Sequence, residues 1–566
     1  MRRYLLVLAL LASCGDDSQP SGGAKIGDPC NPRQTAVGVC PGGNNARCFS
    51  PGLSCGPGFC SQACDSQACP AGSVCIALER LNPTSAQPEV IKRCFLPCDR
   101  DSDCSLDGRL YCDRLYKICS GGAFLSNLGS TGARAANGAA CVAPAPAPTD
   151  LPRLVGANRL VGDAESTDDN ETALAVDGAT GIAYVASNGD SIVRAVRGSG
   201  ITRGMPTDPG YGGDPQLAVD AMGRVYFAHL AFPGQLTCNQ GAAYPGGDVV
   251  DLEWSDDHGV TWSTPKNVAP AQYVNPDFFV DKPWLTVGAG GAVYVSFTAF
   301  PTSSTTAPNE LVLAFSHDRG LTWSSSIIND TTTDRVHGRS LIMLTTDDAG
   351  ALYAVWWEDA GDPLAPGGLI WMAKSTDQGA SFGRNLQVTH TPDATFDDPA
   401  IAVAPDGSVV YVVYNRLLAA GDRDASDVVA TFSLGGAAFP SPVKVNDDAS
   451  CATHFHATAA VDPSGTLYAI WYDNRYGDGR VMWSRARKPA AATGPLVFAP
   501  NGQVTDAVGA FTTTRSTYFM GDYISLAIAG GQVYAAWTDL RAAAGMTAGG
   551  ATIHTQAYLG SGPLPP

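Results

Sequence analysis

The chain has 566 residues, with 63 Gly, 39 Pro and only 16% Asp, Glu, Lys and Arg. That is more than one ordinary core requires and points to a large, turn-rich protein built in parts. Acidic side chains outnumber basic ones by 54 to 36, a formal charge of −18, so a polyanion is repelled and nucleic acid is excluded as the expected partner.

At the start, Arg2 and Arg3 precede the apolar run Leu5 to Leu11, followed by Ala12, Ser13 and Cys14. The run is too short to cross a bilayer, so residues 1–14 read as a targeting segment outside the fold. "LASC" resembles the lipobox of bacterial lipoproteins, which implies cleavage before Cys14 and lipidation of that cysteine. The same resemblance implies export and a membrane anchor. Gly15, where the inner-membrane sorting rule wants Asp, directs the expectation to the outer membrane or cell surface.

Of 17 cysteines, 13 lie between Cys30 and Cys119, and 16 remain once Cys14 is set aside. An even number in an exported chain, within a stretch poor in large apolar residues, predicts a disulfide-rich module over residues 28–120. "CDSQACPAGSVC" and "CDRDSDCSLDGRLYCDRLYKIC" read as two versions of one unit and resemble Dickkopf-type cysteine-rich modules of secreted proteins. Asp99, Asp101 and Asp103 alternate as in a calcium loop, but Cys104 stands where an EF-hand needs Gly and Leu110 where it needs its closing Glu. No metal is expected there, and no cofactor elsewhere. Residues 121–151, mostly Gly, Ala, Pro and Ser and ending in "APAPAPTD", read as an extended linker, with Cys141 expected to tie back to the stapled module.

Beyond the linker, short β-type runs are punctuated by Gly, Asp and Pro, and they repeat. "GIAY", "GRVY", "GAVY", "GALY", "GSVVY", "GTLY" and "GQVY" place tyrosines at 184, 226, 294, 353, 411, 468 and 534, spaced by 42, 68, 59, 58, 57 and 66 residues. This period suits a four-stranded blade with variable loops. Before each Gly lies an Ala- and Val-rich strand, as in "LAVD" at Leu174 and Leu217, so each copy opens as a hairpin. Small residues suit the crowded axis of a propeller and tyrosines suit the widening gap between blades. The count predicts an all-β chain whose residues 152–562 form a seven-bladed β-propeller, with six blades as the alternative because the first copy is the weakest. "PRLVGANRLVGD" (Pro152 to Asp163) is placed to close the ring on the last blade.

The third strands of three copies run into an octet: "SDDHGVTW", "SHDRGLTW" and "STDQGASF". Ser255, Asp257, Gly259, Thr261 and Trp262, then Ser316, Asp318, Gly320 and Trp323, then Ser375, Asp377, Gly379 and Phe382 carry the pattern; "SLGGAAF" at Ser433 is a decayed copy. Asp can bond the N–H groups of its own turn, Gly permits a positive φ, and the terminal aromatic covers the fold. The pattern resembles the Asp-box, or BNR repeat, of sialidases and related propellers. Because strands alternate in direction, the octets share a face with the tight Gly turns, and the long loops lie on the other face, where function is expected. Cys238 and Cys451 both fall on the loop face and are expected to pair.

That face gathers Asp214, Asp281, Asp397, Asp398, His454, His456 and Asp522 at the starts of the innermost strands, and Glu358, Asp359, Asp473, Arg475, Asp539 and Arg541 at the ends of the Tyr strands. The sialidase resemblance implies a Tyr nucleophile, for which Tyr523 in "DYISL", beside Asp522, is the candidate, and a three-arginine carboxylate clamp, for which Arg416, Arg475 and Arg541 are the candidates. The family's Arg-Ile-Pro motif is absent, and the arginines recur in "YNR", "YDNR" and "WTDLR" as repeat elements, which favours Asp–Arg braces within blades. "HFH" supplies too few ligands for a metal. The expected function is therefore a lipid-anchored surface protein whose loop face binds a glycan or protein ligand. An exo-sialidase-type hydrolase is the alternative, and a purely structural lipoprotein the third.

Overall fold

The computed structural model describes residues 146–565 apart from 163–168, 189–191, 207–210, 232–248, 276, 302–308, 330–338, 360–367, 393, 395–398, 420–421, 451, 493, 509–519 and 542–554, together with the backbone of seven strands between residues 29 and 120. Among the described residues no helix is long and apolar enough to cross a membrane.

Seven four-stranded antiparallel sheets succeed one another along the chain. Their first strands are Ala173–Asp177, Tyr211–Val219, Phe278–Val287, Arg339–Thr346, Ala400–Val403, His454–Val461 and Ser525–Ala529. Each neighbours the next, and the last neighbours the first, so the seven line a common axis. The protein is an all-β, seven-bladed propeller. The six-bladed alternative falls because the first copy, despite lacking an octet, still builds four strands, from Ala173–Asp177 to Gly200–Gly204.

Ring closure uses the segment singled out in the sequence. Arg159–Leu160 is the outer strand of blade 7, with Leu160 opposite Tyr558 and Arg159 opposite Leu559. The residues just before it also lie along blade 6: Gln503 N donates to Pro152 O at 2.8 Å and Leu154 N to Gln503 O at 3.2 Å. One N-terminal stretch thus fastens two blades.

The tyrosines fill the gaps between blades. Tyr184, Tyr226, Tyr294, Tyr353, Tyr411 and Tyr468 are no more than 1% exposed, and an aromatic buried to that extent contributes about 1.5–3 kcal/mol. The aspartate that ends the inner strand ties the hairpin to this tyrosine. In blade 2, Asp220 accepts from Met222 N and Arg224 N on one oxygen and from Tyr226 Oη at 3.0 Å on the other. In blade 4, Asp347 does the same for Ala351 N and Tyr353 Oη.

The octets are braces laid on the preceding blade. Within the first, Ser255 Oγ donates to Asp257 and accepts from Gly259 N, both at 2.8 Å, while Asp257 accepts from Thr261 N at 2.8 Å and Thr261 Oγ1 at 2.6 Å. The same bonds recur around Asp318 and Asp377. Trp262 Nε1 and Trp323 Nε1 close their turns on Gly259 O and Gly320 O. Gly259 rests against Tyr184 of blade 1 and Gly379 against Tyr294 of blade 3, so close that a Cβ would lie 3.5 and 3.3 Å from those rings. Blade 1 joins its third and fourth strands through Gly198 and Ser199 alone, so no octet covers Tyr534 of blade 7, the one repeat tyrosine left half-buried. The sequence reading reserved the positive φ for Gly. The structure also gives it to the residue before: His258, Arg319 and Gln378 have φ of 61°, 60° and 58°.

Candidate functional site: the axial mouth on the loop face

Four of the seven innermost strands break their register near their start, on the loop face. Shifts fall between Gly213 and Gln216, Asp281 and Trp284, Ser340 and Met343, and Phe455 and Thr458. At these bulges Asp214, Lys282, Leu341 and His456 have φ of 52°, 53°, 59° and 49°, and Glu171, just before the first strand, has 53°. A non-Gly residue in the left-handed region costs on the order of 1–3 kcal/mol, and a bulge re-aims its side chain. The side chains of Glu171, Asp214 and Lys282 meet across the axis.

Lys282 of blade 3 is the centre. Its Nζ lies 2.5 Å from Asp522 Oδ2 of blade 7, 3.3 Å from Asp214 Oδ2 of blade 2 and 3.4 Å from Glu171 Oε1 of blade 1. Glu171 is held from behind: Asn188 Nδ2 donates to Oε2 at 2.6 Å and Asp522 N to Oε1 at 3.1 Å. Asn188 Oδ1 in turn accepts from Asp214 N at 2.7 Å, and Asp281 accepts from Lys282 N at 2.8 Å. The Asp522 side chain, 23% exposed, is the member most open to solvent.

Electrostatics divide the four carboxyls. Burial works against the Lys282 ammonium, yet Asp214, Asp522, Glu171 and Asp281 together lift it well above its ordinary value. Burial, reinforced by Asp214, pushes Glu171 well above the carboxylate range, and burial raises Asp281 to about 8. Burial of Asp214 is outweighed by Lys282 and by its hydrogen bond with Glu171, so its carboxyl is held down. The Lys282 ammonium thus faces an Asp214 carboxyl that is held down, while Glu171 and Asp281 are shifted toward their protonated forms.

Tyr523 and Trp284 lie at the mouth, 6.4 Å apart in an edge-to-face pair that joins blades 7 and 3. Tyr523 is 5% exposed, its hydroxyl donates to Pro215 O at 3.0 Å, and burial raises its pKa well above the ordinary value. Trp284 Nε1 donates to Leu344 O, leaving the ring half-buried.

The candidate arginines go elsewhere. Arg475 binds Asp473 at 2.7 Å, Asp447 at 2.6 Å and Asn501 at 2.9 Å. Arg541 binds Asp539 at 2.8 Å, Asp506 at 2.6 Å and Asn158 at 3.2 Å, and its guanidinium lies over Tyr558. Arg416 approaches Asp427 at 3.6 Å. Trp471 Nε1 and Trp537 Nε1 donate to the same aspartates, Asp473 and Asp539, so "WYDNR" and "WTDLR" are one repeated brace. No contact among the described residues joins two of these arginines, or any of them to Tyr523.

His454 belongs to the Arg475 network, and His456 packs its ring on Phe455 and Tyr472. Glu358 is buried where the second strand of blade 4 ends. Among the described residues no group of His, Cys, Asp and Glu is arranged to hold a metal ion. Cys14, Cys238, Cys451, Asp397, Asp398 and the side chain of Asp359 lie outside the described residues. Sequence reasoning missed Lys282 and Glu171. The signal was present: "GDP", "DKP" and "GDY" at residues 213, 281 and 521 align Asp214, Lys282 and Asp522 as one position of the repeat, and these three meet at the axis.

Residues 235–447 match the family described as BNR repeat-like domain. That stretch, within the propeller, holds all three octets and the decayed fourth. No curated protein sequence matches it. Among solved structures it is similar to a protein of unknown function from Dyadobacter fermentans, at 14% identity over 62% of this chain and 97% of that one, with a TM-score of 0.39. An ulvan lyase described as a polysaccharide lyase aligns at 13% identity over 67% and 93%, with a TM-score of 0.43. The NanB sialidase of Streptococcus pneumoniae aligns at 9% identity over 67% and 82%, with a TM-score of 0.38.

Proposed function

We propose that this chain is an exported, lipid-anchored binding protein that captures a glycan at the axial mouth of its loop face. The observation that carries the reading is the convergence of Glu171, Asp214, Lys282 and Asp522 from four blades, beside a half-buried Trp284. Carboxylates accept hydrogen bonds from paired sugar hydroxyls, and an indole face covers the apolar side of a sugar ring. Anchoring through Cys14 rests on the basic start, short apolar run and "LASC" of the sequence, and it would hold the propeller at a cell surface at the end of a stapled module and an extended linker.

The exo-sialidase reading has less support. A carboxylate clamp needs guanidinium groups aimed at one point, and Arg475 and Arg541 are each committed to aspartates of their own blade and of the neighbouring connection. A tyrosine nucleophile needs an activated hydroxyl, and Tyr523 has a raised pKa and a backbone partner. The test is a glycan array probed with the full chain and with Asp522→Asn. Specific binding that the substitution weakens supports the proposal. Absence of any bound glycan overturns it and leaves a protein ligand as the reading to pursue.

A further inference from the structure

His454 opens the inner strand of blade 6 and is fully buried. Its ring nitrogens meet acceptors only. Nδ1 faces the Ser426 carbonyl oxygen, and Nε2 lies 3.2 Å from Asp448 Oδ1 and 3.4 Å from Asp473 Oδ2. A neutral imidazole keeps one bare nitrogen, and in this buried site its lone pair would confront a carbonyl or carboxylate oxygen. A doubly protonated ring presents a hydrogen to the acceptors on both sides.

The charge joins separate elements. Asp448 lies in the connection that follows the outer strand of blade 5, Val443–Lys444, whereas Asp473 ends the second strand of blade 6, Leu467–Asp473. Arg475, in the loop after that strand, reaches Asp473 at 2.7 Å, Asp448 at 3.5 Å and Asp447 at 2.6 Å. From blade 5, Asn446 Nδ2 donates to Asp427 at 2.9 Å and to Asp448 at 2.8 Å. Asp427 is itself paired with Lys444 at 2.8 Å and faces Arg416 at 3.6 Å. With His454 neutral, one positive charge, Arg475, would remain to serve Asp447, Asp448 and Asp473 together.

The geometry points to a proton-operated latch: protonated His454 pins the connection 445–450 between blades 5 and 6 to the loop face, and loss of that proton releases it. The latch stands independently of any glycan at the axial mouth. Burial disfavours the imidazolium, but Asp473 and Asp448 outweigh it and raise the pKa of His454 above its ordinary value, while Asp448 and Asp473 are both held below theirs. A group whose pKa is raised in the closed state contributes fully below its free value, about 6.5, and its contribution is lost as pH rises from there through the closed-state value.

The test is hydrogen exchange of the full chain between pH 5 and 9, corrected for intrinsic chemistry and read on peptides spanning 445–450, with NMR titration of the His454 ring in parallel. Protection of this connection falls about tenfold per pH unit above about 6.5 and then levels off, while the inner strands stay flat. His454→Gln removes the pH dependence and leaves the connection weakly protected throughout. Asp448→Asn moves the fall to lower pH, and it carries the test if His454→Gln does not fold. Constant protection across the range in the unsubstituted chain, or a His454 ring titrating at or below about 6.5, overturns the latch.

Discussion

Replacing Lys282 by Met removes the one cation that the described residues place at the axial mouth and keeps most of the side-chain volume. The side chains involved are 9% exposed for Lys282, 1% for Glu171, 11% for Asp214 and 23% for Asp522, so solvent screens them little. Removing one partner of a buried pair costs about 3–5 kcal/mol, because the remaining charge stays desolvated. For a domain of about 400 residues, unfolding entropy at ~2.1 cal/mol/K per residue converts this to a fall of about 4–6 °C in Tm at pH 7. Calorimetry at pH 7 and pH 4.5 reads it. The loss shrinks at pH 4.5, where Asp214 takes up a proton once the ammonium that held its carboxyl down is gone, and Lys282→Met with Asp522→Asn recovers part of it. A Tm change below about 1 °C at pH 7 would refute the claim that the axial cluster ties blades 7, 1, 2 and 3 together.

Two further outcomes concern stability and pH. Asp257→Ala deletes the acceptor of Thr261 N, Thr261 Oγ1 and the Ser255 hydroxyl, which at this exposed turn costs about 1 kcal/mol, read as a lower urea midpoint. Ligand binding by the folded protein is unchanged, since the octet lies on the opposite face. The Asp257 carboxyl is held down to about 2 by these bonds, so its contribution is present above about pH 4 and is lost as pH falls toward 2. Asp281 has the opposite sign. Burial raises its pKa to about 8, so its contribution is complete at acidic pH and declines as pH rises from about 4 to 8. Asp281→Asn flattens that decline in a pH series of denaturation midpoints.

The repeat made the propeller legible because each blade must solve the same packing problem. The Ala and Val strand, the turn aspartate and the tyrosine recur at positions where the inter-blade gap demands them, and their burial in the structure follows that order. The octet was legible for the same reason, since its bonds are nearly all internal to one turn. The axial mouth was not. It depends on which residues of separate blades meet across the ring, so Lys282 becomes noticeable only when Glu171, 111 residues away, and Asp522, 240 residues away, are seen beside it. The carboxylates stood out as acids, whereas the shared position before "P" or "Y" in "GDP", "DKP" and "GDY" was the informative feature. The arginines illustrate the opposite case: a recurring Trp-x-Asp-x-Arg pattern is local enough to read as a brace, and Asp473 and Asp539 each accept from a Trp two residues before and pair with an Arg two residues after.

The measurement that bears most directly on the account compares the full chain, Asp522→Asn and Tyr523→Phe on a glycan-array ligand and on a fluorogenic sialoside. The account predicts glycan binding that Asp522→Asn weakens at least tenfold, about 1.4 kcal/mol, and no sialoside turnover by any of the three. Turnover by the unsubstituted chain that Tyr523→Phe abolishes would contradict it.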